Sequence, residues 1–163
     1  KIRRVEVATG AVSTLAGSGT SGSAGGLGGA AQFYGPYGVV LSPDGSALFV
    51  ADQGNHKIRR VEVATGAVTT LAGSGEEGDA DGVGDTAQFN GPLDLAISPD
   101  GSALFVADSD NLRRVEVIRR VEVATGAVTT LAGSGEEGDA DGVGGAAQFN
   151  WPHGLVISPD GSA

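Results

Sequence analysis

Apolar residues in this chain come in short blocks separated by turn-forming residues, with no helical spacing. Within 35–73, YGVVLS (Tyr37 to Ser42) is apolar and rich in β-formers. Pro43-Asp44-Gly45 follows as a turn, because proline fixes φ and glycine accepts positive φ. ALFVAD (Ala47 to Asp52) predicts a second strand, and Gln53-Gly54-Asn55-His56 turns the chain again. Ile58 to Val63 predicts a third strand, Ala64-Thr65-Gly66 a third turn, and Ala67 to Leu71 a fourth strand. A long Gly-rich loop then runs from Gly73 to about Pro92 before another strand of the first kind. GVVLS and ALFVA do not alternate polar with apolar, so both faces of the sheet are expected to be buried, as when sheets stack face to face.

The unit repeats. VEVATG begins at Val5, Val61 and Val121, first 56 and then 60 residues apart, and residues 58–84 recur verbatim as 118–144. A four-stranded antiparallel meander repeated at this period and buried on both faces is a blade of a β-propeller. The fold class is therefore all-β: an incomplete β-propeller of four-stranded antiparallel blades, with about two full blades and partial blades at both ends. The divisions are a partial repeat at 1–34, repeats at 35–90 and 91–150, and a partial repeat at 151–163. Closing a ring takes at least about four blades. Further blades are expected from the same longer chain or from self-association.

PYGVVLSPDGSALFVADQGNHKIRRVEVATG (36–66) resembles the NHL repeat: a P-x-G strand, a D-G turn, V-A-D, then N-H and an isoleucine-led strand. GEEGDADGVGDTAQFNGP (75–92) is similar to the inter-blade loop of that family. The resemblance implies a closed propeller, often six-bladed, in the complete protein. It makes Asp52, Asn55 and His56 structural turn residues. The second repeat has DSDNL (108–112) in place of DQGNHKI (52–58), so the Asn-His pair occurs once.

Charge sharpens the picture. The chain carries a net charge of −10, and all ten basic residues lie in copies of the IRRVEV motif or, as Lys1 and Lys57, immediately before one. The acids gather in the inter-blade loops: Glu76, Glu77, Asp79 and Asp81, with counterparts Glu136, Glu137, Asp139 and Asp141. Such a surface repels nucleic acid and anionic membranes, and no apolar run approaches a membrane span. Cysteine is absent, which excludes disulfides and thiolate metal sites. Successive arginines on a strand point to opposite sides, and each IRRVEV carries its own glutamate, so the Arg pairs read as ion-pair partners of that glutamate and of Asp52 and Asp108 on neighbouring strands, not as an RNA-binding stripe.

Chain direction places the strand-two turn and the inter-blade loop on one face, where the repeats differ most. There Gly35-Pro36-Tyr37 contrasts with Trp151-Pro152-His153. The expected binding surface combines the eight loop acids with Trp151 and His153. Calcium is a candidate ligand for the acidic loops, because hard cations take several carboxylate and carbonyl oxygens. Asp79-Ala80-Asp81 opens like an EF-hand loop, but Val83 stands where the third ligand belongs. No other cofactor is expected. GSGEEG (73–78) matches G-x-G-x-x-G, yet its glutamates would repel a pyrophosphate and no helix follows. Two histidines, His56 and His153, sit in different contexts and assemble no catalytic set.

These observations predict a non-catalytic interaction scaffold presenting inter-blade loops to a protein or peptide, with a bias toward basic partners. The resemblance also implies an alternative: a segment of a lactonase- or lyase-like propeller enzyme, with a metal in the central channel and catalytic residues on other blades.

One stretch breaks the period. Residues 112–123 read LRRVEVIRRVEV, a doubled hexapeptide. Six is even, so an added copy leaves every side chain on its original face. Ile118 to Val123, contiguous with ATG, is expected to pair as the third strand, with Leu112 to Val117 as a bulge or overhang.

Overall fold

The computed structural model describes residues 1–109 and 116–162. Strands β1 (Ile2–Val5) and β2 (Val12–Ala16) form a hairpin. A first full blade consists of β4 (Pro36–Leu41), β5 (Ala47–Asp52), β6 (Lys57–Glu62) and β7 (Ala67–Ala72), all antiparallel. A second consists of β9 (Pro92–Ile97), β10 (Ala103–Ser109), β11 (Glu116–Glu122) and β12 (Ala127–Ala132). The sheets stack side by side and do not close into a ring.

Each full blade also has a fifth, two-residue strand. Residues β3 (Gly26–Leu27) and β8 (Gly82–Val83) belong to the loops that precede the blades, and they pair with β7 and β12. The loop thus crosses the outer edge of the blade it enters and covers amides that an edge strand would leave open.

The apolar strands split by parity. On β5, Ala47, Phe49 and Ala51 join Leu104, Val106 and Val121 in the core between the two full blades. Val50, with Leu48 beside it, faces the opposite way into a second core with Ala16, Ala31 and Phe33. This is the period-2 geometry of a strand with both faces buried. The S-P-D-G-S turns stack on the opposite rim: Pro43 lies against Gly101 and Pro99 against Gly161, where any side chain would be strained by the positive φ. In each turn the first serine hydroxyl and the amide of the second serine hold the aspartate (Asp44, Asp100, Asp160) down to about 2.

Two expectations need adjustment. Residues 152–158, expected to begin a further blade as its first strand, form no strand; the Leu155 amide donates to Asp94 Oδ2 of the adjacent blade at 3.0 Å. In the doubled hexapeptide, Ile118–Glu122 pairs with Ala103–Ala107 as the third strand. The ladder, however, continues into the first copy, with Val117 opposite Asp108 and Glu116 opposite Ser109. The end of that copy is therefore strand and not overhang. Its beginning, 112–115, lies outside the described residues.

Candidate ligand-binding site at the inner edge of the blades

On the loop face, each inter-blade loop is fastened to the blade it enters by a buried arginine. Arg59 Nη1 donates to Asp52 Oδ2 at 2.9 Å and to the Gln32 carbonyl at 3.3 Å, and Nη2 reaches the Ala24 carbonyl at 3.3 Å. Asp52 Oδ1 accepts the Tyr34 amide at 2.8 Å, and the guanidinium lies 5.5 Å from the Phe33 ring centre. Arg119 repeats the arrangement with Asp108 Oδ2 (3.3 Å), the Gln88 and Ala80 carbonyls, and Phe89. It adds a bond to Asp81 Oδ1 at 2.9 Å. Burial pushes the Asp108 carboxyl up to about 7, against the opposing pull of Arg119 and the Asn90 amide.

The turn residues act in the same clamp. Asn55 Nδ2 bridges Asp52 Oδ2 (2.8 Å) and the Gly22 carbonyl (2.9 Å). His56 adopts a left-handed φ of 52°, and its Nδ1 accepts the Gly91 amide at 3.2 Å. In the second blade Glu116 occupies the position of His56. Its Oε2 accepts the Trp151 amide at 2.9 Å and the Ser109 hydroxyl at 2.9 Å. The doubled hexapeptide therefore replaces a turn histidine with a fully buried carboxylate, whose Oε1 has no hydrogen-bond partner among the described residues.

The loop acids divide. Glu76, Glu77, Asp79, Glu136, Glu137, Asp139 and Asp141 are exposed along the two loops. Asp81 is engaged by Arg119 and also accepts the Thr130 hydroxyl at 3.3 Å, so it acts in the clamp. Among the described residues, no group of three or more His, Cys, Asp or Glu side chains is placed to hold a metal ion.

None of these acids lines the space that Trp151 and His153 share. That space is a cavity of about 450 Å³, lined also by Tyr37, Gly38, Leu93 and Asp94. These residues stand at the starts of β4, β9 and the terminal segment, so the cavity lies where the starts of successive repeats converge. It is lined where the repeats differ. Tyr37, Leu93 and His153 are equivalent positions, as are Gly38, Asp94 and Gly154. Trp151 stands where the other repeats have Gly35 and Gly91, and it adopts their left-handed backbone, with φ of 59°. For a bulky residue that conformation is an outlier, held in place by its surroundings. Gly38 is required by close approach: a Cβ there would come within 2.7 Å of the Asp94 Cα and 2.8 Å of its Oδ1. Sequence reasoning singled out Trp151, His153 and the Tyr37 position. It missed Asp94 and Glu116, although aligning the P-x-G positions would have shown Asp94 replacing a glycine.

No protein-family model matches the chain. It is 33% identical over 138 residues to Protein SUPPRESSOR OF QUENCHING 1, chloroplastic, of Arabidopsis thaliana, covering 80% of this chain and 13% of that protein. It is 36% identical over 118 residues to NHL repeat-containing protein 2 of Bos taurus, covering 68% of this chain and 16% of that protein. Among solved structures, an auxiliary nutrient binding protein from Bacteroides ovatus superposes with a TM-score of 0.70 at 25% identity, covering 95% of this chain and 37% of that one. The chain thus spans a small part of the proteins it matches. The repeat pattern, the stacked antiparallel blades and these relatives agree, and the chain belongs to the NHL-repeat β-propeller family.

Proposed function

We propose that this segment is a non-catalytic interaction scaffold whose loop face binds a protein or peptide, preferentially a basic one. The observation that carries this reading is the sorting of the loop face. Side chains common to both full repeats (Asp52, Arg59, Asp108, Arg119) are consumed in fastening loops to blades, while the loops at 73–90 and 133–150 expose acids and the cavity residues differ from repeat to repeat. The binding role named for the Bacteroides ovatus protein of the same fold is consistent with it.

Acidic loops add long-range attraction and faster encounter for a cationic partner. In fluorescence anisotropy with labelled basic and acidic peptide pools, basic peptides should bind and acidic ones should not. Neutralising Glu76, Glu77, Glu136 and Glu137 to Gln should weaken that binding. Raising salt to about 1 M, where the Debye length falls to about 3 Å, should do the same. Equal binding of both pools would defeat the reading.

A further inference from the structure

We propose that the cavity at Tyr37, Asp94 and Trp151 is a recognition site for an alkylammonium group, the side chain of a lysine in the bound segment. This rests on the binding role above and names the group that the inner-edge cavity takes. Three features point to a cation. Two aromatic rings, Tyr37 and Trp151, line the space, and aromatic faces attract cations within about 6 Å. Among the six lining residues the one carboxylate is Asp94; the one basic side chain is the His153 imidazole, and there is no lysine or arginine. The Asp94 carboxylate is also oriented. Its Oδ2 accepts the Leu155 amide at 3.0 Å, and its Oδ1 packs close to Gly38, within 2.8 Å of where a Cβ would stand.

An anion would meet Asp94 unfavourably. A neutral apolar group would cover a charged oxygen without satisfying it, which is costly. An ammonium on a flexible alkyl stem satisfies the carboxylate and places its stem against the rings. Trp151 is held over the space despite its strained backbone by the bond from its amide to buried Glu116, which makes Glu116 a positioning residue.

Trp151 is the single tryptophan of the chain, so its emission reports the site. The probes are Nα-acetyl-lysine amide and its Nε-acetylated analogue, which has the same stem without the charge. The charged probe should change the emission saturably in the millimolar range, and the neutral one should not. Asp94→Asn keeps the shape and an acceptor for Leu155; it should weaken the charged probe about tenfold, the size of one charge-assisted contact. Tyr37→Leu, the residue this repeat position has at Leu93, should weaken it about threefold. Circular dichroism establishes that both variants are folded. Equal binding of the two probes, unchanged affinity in folded Asp94→Asn, or no saturable response overturns the proposal. Peptide anisotropy run alongside separates the two readings: basic peptides that still bind through the loop glutamates, with no lysine response at Trp151, would sink this site and leave the scaffold standing.

Discussion

At the scale of single residues, the two buried Arg–Asp pairs look alike in sequence and differ in chemistry. Asp52 Oδ2 takes a 2.9 Å bond from Arg59 and a second from Asn55. Asp108 takes a longer 3.3 Å bond from an arginine that is shared with Asp81. With its carboxyl raised to about 7, Asp108 keeps its proton in the folded chain where the unfolded chain, near the usual 3.8, has lost it. Its contribution to stability is therefore fully present below about pH 4 and is lost as pH rises through about 7. Urea midpoints measured between those values should fall with rising pH, and Asp108→Asn should flatten the slope. Trp151 permits a second prediction. Replacing it with the glycine found at 35 and 91 relieves a left-handed backbone worth about 1–2 kcal/mol. Trp151→Gly should raise the denaturation midpoint while removing affinity at the cavity; a lowered midpoint would show that ring contacts outweigh the strain.

At the scale of elements, strands and turns were legible because local chemistry dictates them: P-D-G and A-T-G turns delimit apolar runs of strand length, and Asp52 and Asp108 were the expected partners of the arginines. The fifth strand was not legible. Gly26–Leu27 and Gly82–Val83 carry no strand signal and pair only because the clamped loop is drawn across the blade edge. Asp94 was hidden for a related reason, since its role depends on Gly38 of another blade. The doubled hexapeptide was legible in its parity, while the substitution of Glu116 for His56 needed the register to be known. Arg59→Met tests the clamp. It retains most of the stem's packing but leaves Asp52 buried without its cation, so a loss of about 3–5 kcal/mol is expected by denaturation. Arg3, the equivalent residue on exposed β1, should tolerate the same change with little effect. Grafting QGNHK (53–57) in place of 109–117 should leave the far-ultraviolet spectrum unchanged, because a histidine then takes over the Trp151 amide.

At the scale of the whole molecule, stability lies between sheets. Phe49, Ile58, Leu104 and Val106 are buried because two blades face each other, and neither sheet would bury them alone. Where a face has no neighbour, apolar side chains meet water: Val39 is 52% exposed, Leu41 49% and Val156 89%. Apolar exposure on open faces favours association. Sedimentation of the isolated 163-residue chain should show a mass that rises with concentration, and a monomer over the whole range would contradict this.

The buried arginine clamp also sets an order of events during synthesis. The loop at 17–34 leaves the ribosome well before Arg59, and the loop at 73–90 well before Arg119. Each loop must wait for the third strand of the following blade before its carbonyls are captured. Growth of the propeller is thus directional, each new blade locking the connection behind it, and a pause in translation just before an IRRVEV motif would leave the newest loop open to proteases.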